Sequence, residues 1–596
     1  IKFGVDYNRI PINADFTVNF GGLYNFGSLG ATSLSPFFAG FPVFNGVQAY
    51  GLGIPQVFIQ QIGDPHAEFS NNTFGFFLQD SWRIRPNFTL NIGVRYDVEL
   101  TPFEAALNPL SDAAQNALGI TQGIPRDKNN VAPRIGFAWD PFKDGKTVIR
   151  GSYGLFYDHP LLGLAFLSQV ADGTQAPGII LFGGAPCTGA GPANPLNLNA
   201  TNVMQGTLLA NCVPGALLAG LNYLPAEMRL EALNTNSLFF NQNYLAAGVP
   251  LSVQPFGFPI NSNFQYAYSH QASFGIEADM GGNVSLSVGY NFNGGRHLNR
   301  SIDINPVNSE ALIVNWERAV AGGFVLPATN PLQVATCNVV GAGPLAGQPV
   351  VPAALLSFFR RSGLNPSLAA VTPPACLALA AAVMTEFGLG VGVDVPFNFM
   401  NSNVSNGSSV YHGLTANLKK RFSRKYEFLA SYTWSHAIDD STDLQSLLSP
   451  QDNRRPGLER SNSTFDQRHR FVLSGVYQSG KLSGDGFWSK FASDWTVAPI
   501  IEMASGRPFL ILVGSDRNFD FGSNTDRPLG VATGTTNLCG DVAVPSAFSP
   551  AGAFIPACHI DGVFDGIVSN PLTGNTPRNA GTRPYTVYTD LRIARR

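Results

Sequence analysis

Apolar and polar side chains alternate along much of this chain. Phe88, Leu90, Ile92, Val94, Tyr96 and Val98 are interleaved with Thr89, Asn91, Gly93, Arg95, Asp97 and Glu99. Successive side chains of a strand point to opposite faces, so a period of two makes one face apolar and the other polar. The pattern recurs over 149–158, 265–277, 284–292 and 427–435. Several such runs exceed the usual strand length of about 5–6 residues and reach the ~9–11 tilted residues that cross a bilayer. On this reading Leu90, Val94, Leu286 and Val288 face lipid, while Asn91, Arg95 and Ser287 face a lumen.

Connection lengths carry a second pattern. Tight turns at Pro86-Asn87, Asp144-Gly145, Gly281-Gly282-Asn283 and Ser423-Arg424-Lys425, and a medium one at 479–493, alternate with long excursions at 101–130, 159–262, 293–408, 439–465 and 514–585. Short on one side and long on the other is the habit of outer-membrane barrels, whose short turns face the periplasm. About thirteen strands are expected, near 2–10, 14–20, 72–85, 88–99, 131–140, 147–158, 263–280, 284–292, 409–421, 426–438, 466–478, 494–512 and 586–594. An odd count does not close a single-chain bacterial barrel, and both ends fall in mid-pattern, so the chain is expected to be a fragment of a larger barrel. Trp82, Trp139 and Trp495 fall near the periplasmic ends of strands, and Trp434 and Tyr157 near the outer ends, as an interfacial girdle requires. Asp80 on an apolar face and Pro499 inside a strand suggest bulges.

Composition narrows the class. Lys and Arg total 37 and Asp and Glu 40 in 596 residues, a charged share of 13%, about half the share usual in soluble domains. A net charge of −3 gives no basic field for nucleic acid. The longest apolar run suited to a helix, 375–384, is short of the ~20 residues a membrane helix needs, and is expected to be a helix within a loop. No metalloprotease, nucleophile-elbow, phosphate-loop or paired-cysteine motif is present, and the eight His show no metal-ligand spacing. The chain is therefore expected to be no enzyme and to need no cofactor or metal. Asp516-x-Asn518-x-Asp520 lacks the Gly and Glu positions of a calcium loop. Gly388-x-Gly390-x-Gly392 lacks the strand–helix setting of a dinucleotide site. Asp439, Asp440 and Asp443 read as a solvated loop face, and Arg468-His469-Arg470 as the passage from loop to strand.

Together these segments resemble the barrel of TonB-dependent receptors. Phe77-Leu78-Gln79-Asp80-Ser81-Trp82 followed by Leu90-Asn91-Ile92-Gly93-Val94-Arg95-Tyr96-Asp97 is similar to two consecutive barrel strands of that family. So are 132–140 and 146–158, while 430–436 and 465–471 are similar to the large-loop, Oar-like branch. The resemblance implies an all-β transmembrane antiparallel barrel of about 22 strands around a plug, of which this chain would supply about thirteen, with long extracellular loops containing short helices. It implies energised uptake of a large ligand such as an iron chelate, cobalamin, oligosaccharide or peptide. Its partners would be outer-membrane lipid, an extracellular ligand, and the TonB complex reached through a plug. The plug, the TonB box and the C-terminal strands are expected to lie outside residues 1–596, all of which would be barrel. A structural or adhesive barrel with partner-binding loops is the alternative. An outer-membrane hydrolase and a soluble β-sandwich are further options, neither with an assignable site.

The six cysteines all fall in three of the long excursions, two to each of those: Cys187 and Cys212, Cys337 and Cys376, Cys539 and Cys558. Six cysteines allow fifteen pairings. The in-loop set closes short loops in the oxidising compartment that an exported chain crosses, and is the expected one. Free thiols and cross-loop pairs are the alternatives.

Overall fold

The computed structural model describes residues 1–17, 19–27, 45–61, 64–101, 118–121, 124–160, 162–171, 178–182, 200–205, 255–321, 359–360, 374–389, 400–441, 449–481, 483–484, 486–512, 525–527, 543–546, 549–554 and 576–595. Twelve long strands follow one another around a single antiparallel sheet in chain order. They are β1 (Lys2–Asp15), β2 (His66–Arg85), β3 (Phe88–Leu100), β4 (Val131–Trp139), β5 (Thr147–Tyr157), β6 (Tyr268–Gly281), β7 (Val284–Asp303), β8 (Asn401–Ser423), β9 (Tyr426–Asp439), β10 (His469–Gln478), β11 (Trp495–Ala504) and β12 (Thr586–Arg595). The sheet is open: β1 pairs with β2 alone and β12 with β11 alone among the described residues. Three two-residue strands attach at the long-loop end.

The sheet is built where the alternation places it, and the short connections are turns with suitable chemistry. Gly281, Gly282 and Asn283 all take positive φ, as do Arg424 and Lys425. That handedness matches the twist of two antiparallel strands. In the β4–β5 turn the Asp140 carboxylate accepts hydrogen bonds from the Lys143 and Gly145 amides at 2.8 and 2.9 Å.

Three expectations need correction. The segments 2–10 and 14–20 are not two strands. β1 runs unbroken through Pro11, which faces Ser70 in the register, and at a sheet edge a missing N–H need leave no rung open. The count of long strands is thus twelve, and the odd-number argument for a fragment falls with it. Asp80 causes no bulge, since the β2–β3 register stays regular past it and shifts only between Arg83 and Arg85. Pro499 causes none either: the β11–β12 register is continuous across it, while the β10–β11 ladder lacks its Ala498 and Pro499 rungs without shifting. Finally, β7 and β8 extend well beyond the alternating segments, to Asp303 and from Asn401, so the connection between them is 304–400.

At the long-loop end the loops carry a core of their own. Ala67 and Phe69 of β2 are buried with Ile124, Leu164, Ala165, Val170, Ile260, Phe264 and Tyr266, against the helix Leu162–Val170. The expected helix near 375–384 is present as Pro374–Glu386. No described helix is long and apolar enough to cross a membrane, which says nothing of strands.

Candidate functional site

The polar halves of the strands share one face. Reading the register from β2 to β8, Gln79, Gly93, Arg134, Gly154, Gln271, Asn293 and Tyr411 lie side by side. The neighbouring row is Ser81, Asn91, Gly136, Ser152, Ser273 and Asn291. These rows line a cleft of about 1120 Å³. Asn91 and Arg95 lie in its wall as expected, and Ser287 meets the Asn417 amide at 3.3 Å on the same face. Ser152 and Ser273 share a hydrogen bond of 2.7 Å. Arg95 reaches across Gly75 to bridge three strands, with Asp6 at 2.8 Å and Asp97 at 2.8 Å. A Cβ on Gly75 would come within 2.3 Å of the Arg95 Nη2, so the glycine makes room for this crossbar. The Arg134 guanidinium stacks 4.3 Å from the Phe156 ring centre.

Toward the long loops the cleft continues into a second cavity of about 420 Å³, which shares Asn293 and Tyr411 and adds Asp158, His159, His297 and Asn299. Here Glu99, 1% exposed, binds the Asn71 amide at 2.6 Å and His159 Nδ1 at 2.8 Å. The bond to Glu99 raises the His159 pKa above its ordinary value, against the opposing effect of burial.

The rim beside this mouth is a buried ionic clasp. Arg527 holds both Glu459 oxygens, at 2.8 and 2.7 Å, and the Thr576 carbonyl at 2.8 Å. Arg578 binds Asp439 and donates to the Glu459 carbonyl at 2.9 Å. Arg300 lies 3.8 Å from Asp440 and donates to the Pro456 carbonyl at 3.0 Å; its burial lowers its pKa. Arg360 lies 3.6 Å from Asp303, whose pKa burial raises. All these arginines are buried. Arg300, Arg527 and Arg578 line a small cavity of about 250 Å³ together with Ser301. Asp439 and Asp440, expected on a solvated face, are therefore buried partners of arginine; Asp443 lies outside the described residues. In a chain only 13% charged, 439–470 carries an unusual density of Asp, Glu and Arg, but the arginines that pair with Asp439, Asp440 and Glu459 come from outside that segment.

Of the expected disulfide residues, Cys376 lies in the helix Pro374–Glu386, is 7% exposed, and is disulfide-bonded. Cys187, Cys212, Cys337, Cys539 and Cys558 lie outside the described residues, as do Asp516, Asn518, Asp520, Gly390 and Gly392. Gly388 ends the Cys376 helix with φ at +63°. His469 opens β10, so 468–470 is the passage from loop to strand that was expected. No described group of three or more His, Cys, Asp or Glu could hold a metal.

The family model described as outer membrane beta barrel domain matches residues 1–596. The chain belongs to this family. The sheet is accordingly an antiparallel outer-membrane β-barrel wall, and its place is the outer membrane of a Gram-negative-type cell. The TonB-dependent transporter Oar of Myxococcus xanthus is 36% identical over 98 residues, 16% of this chain and 8% of that protein. The chain thus aligns with a small part of that relative's length. Among solved structures, the outer membrane transporter YddB from Escherichia coli is similar with a TM-score of 0.35 at 9% identity, covering 90% of this chain and 40% of that one. The ferripyoverdine receptor of Pseudomonas aeruginosa gives 0.29 at 10% identity, covering 76% of this chain and 31% of that one. Family membership rests on the full-length match.

Within the outer membrane β-barrel family reading, the two faces acquire solvents. The row Ile149, Ile276, Val288, Ala416, Tyr432, Phe471 and Met503 lies on the face opposite the cleft, with Ile276 and Val288 among its exposed members. In the outer membrane that face meets lipid.

Proposed function

We propose that this chain is the barrel part of a TonB-dependent transporter that takes up a large extracellular ligand. The observation that supports it most is the stretch of 98 residues 36% identical to the transporter Oar. The cleft is consistent with the reading: hydroxyls, amides and one stacked arginine face a lumen that continues into a loop-lined mouth. Such a wall offers hydrogen bonds to a polar solute. In this reading a plug and TonB box belong to other parts of the full-length protein, and energy enters through them.

The test is capture of the full-length protein by the periplasmic domain of TonB, with uptake compared in cells with and without TonB. Specific capture together with TonB-dependent uptake supports the reading. Full-length protein that folds in the outer membrane yet never binds TonB leaves a structural or adhesive barrel instead.

We further propose in-loop pairing of Cys187 with Cys212, Cys337 with Cys376, and Cys539 with Cys558. The disulfide-bonded state of Cys376 supports it. Loops of this length gain about 3–4 kcal/mol per bridge in chain-entropy terms. Non-reducing peptide mapping should yield three peptides joined within loops, and cross-loop peptides would refute the pairing.

A further inference from the structure

The lipid-facing side carries a feature that transport does not use. Toward the long-loop end of that face, five adjacent strands, β6 to β10, each present one basic or imidazole side chain: His270, Arg296, His412, His436 and His469. Their face follows from the register. Arg296 lies opposite Tyr268, His412 opposite Phe292 and His436, and His469 opposite Trp434. All alternate with the cleft-facing Gln271, Asn293, Tyr411 and Ser435.

They also share one height. His270 is eleven residues above the turn-side end of its strand, Arg296 twelve, His412 eleven, His436 ten and His469 nine. At a rise of about 3.3 Å per residue and a tilt of about 40°, that is roughly 23–30 Å. An outer-membrane apolar band is about 25 Å tall, so the five stand at its outer edge. Below them on the same face come Ala272, Phe274, Ile276, Val288, Leu286, Leu414, Leu418, Ala430, Leu473 and other uncharged side chains, until Lys420 near the turns.

Three of the imidazoles are held alike. The Tyr153 hydroxyl bonds His270 Nδ1 at 2.8 Å, Tyr290 bonds His412 Nδ1 at 2.7 Å, and Tyr432 bonds His469 Nδ1 at 2.8 Å. Each tyrosine sits six residues above the turn-side start of its strand, on every second strand. With Nδ1 engaged from the bilayer side, Nε2 remains for whatever lies at the interface; among the described residues it has no partner. Arg296 donates to the Gly295 and Ser409 carbonyls at 2.8 and 3.5 Å. None of the five forms a salt bridge with a carboxylate among the described residues. Oriented imidazoles and a permanent cation, without acidic partners, at the depth of outer-leaflet headgroups are complementary to phosphate.

We propose that this belt binds the phosphate groups of outer-leaflet lipid. The tyrosines set the rings of His270, His412 and His469, those imidazoles and Arg296 face the phosphate, His436 flanks them with its Nε2 on Asn462 Oδ1 at 3.1 Å, and the apolar strand faces below accept the acyl chains.

The test uses the full-length protein in detergent, with binding of bis-phosphorylated lipid A and enzymatically dephosphorylated lipid A followed by native mass spectrometry. The wild type should prefer the phosphorylated lipid by about ten-fold or more, the scale of one or two charge-assisted bonds. The combined variant His270→Phe, His412→Phe, His469→Phe and Arg296→Gln should lose most of that preference, because Phe keeps the ring in the girdle and removes the donors. If that variant does not give a heat-modifiable folded band, the single variants and Tyr290→Phe are compared, each expected to weaken phosphorylated lipid A binding. Equal binding of the two lipids by the wild type, or unchanged preference in every folded variant, overturns the proposal. Full displacement of lipid A by inorganic phosphate at the same concentration would do so too, assigning the belt to a free anion.

Discussion

One strand, β7, passes through two environments. From Val284 to Asn293 its apolar side chains face lipid and its polar ones face the lumen, and much of it is exposed. From Arg300 to Asp303 it is buried throughout, with charge at both ends of that stretch. The lower part is held by a continuous ladder and by the solvent each face meets. The upper part is held by ion pairs whose partners come from 440–460 and from Arg360. Removing one member of a buried pair strands the other charge, whereas a pair in a wet lumen keeps water as an alternative partner. The same kind of interaction thus has different consequences a few turns apart along one sheet.

The largest expected effect is therefore at the rim. Glu459→Ala leaves Arg527, 4% exposed, without its carboxylate, and should destabilise by about 3–5 kcal/mol in guanidinium unfolding of the full-length protein in detergent. In the lumen, Arg470 and Glu502 meet at 2.8 Å but are 51% and 36% exposed, and Arg470→Ala should cost about 0–1 kcal/mol. Equal losses at the two pairs would erase the distinction.

Next comes the contrast between faces within the band. Val288→Arg should cost about 2–4 kcal/mol near the midplane, and Ser287→Arg about 1 kcal/mol or less, since one faces lipid and the other the lumen. The readout is folding stability in lipid vesicles.

The smallest effect is pH-dependent and sits at the mouth. Glu99 raises the pKa of His159 in the folded protein, so the folded state binds this proton more tightly than the unfolded chain does. Its stabilisation is fully present below the unfolded value of about 6.5 and is lost as pH rises through the raised value. Proteolysis within 158–267 should therefore quicken between slightly acidic and mildly alkaline pH, and His159→Gln should flatten that change.

How much of this was legible in the sequence depends on which solvent a segment meets. Bilayer and lumen impose opposite demands on alternate residues, so β3, β6 and the lower part of β7 could be read from Phe88, Phe274 or Val288 and their polar neighbours. The upper parts of β7 and β8 could not. In Asn299-Arg300-Ser301 and Asn401-Ser402-Asn403 both faces are polar, because loops rather than lipid cover them, and period two carries no contrast. Pro11 hid the continuity of β1 because a proline is tolerated at an edge, and edge position is a property of the sheet. The clasp was illegible for another reason: Arg527 and Glu459, or Arg578 and Asp439, are far apart in the chain, and only their joint burial distinguishes them from solvated charges. The basic belt needed the strand register, without which five separate residues show no common height.

The central claim is that this sheet is a membrane wall with its short turns in the periplasm and its long connections outside. The direct measurement places one short epitope tag in the full-length protein, either within 158–267 or at the Arg424–Lys425 turn, and stains intact cells with antibody. The loop tag should be stained on intact cells, and the turn tag only after the outer membrane is permeabilised. Staining of the turn tag on intact cells, with the loop tag hidden, would contradict the account.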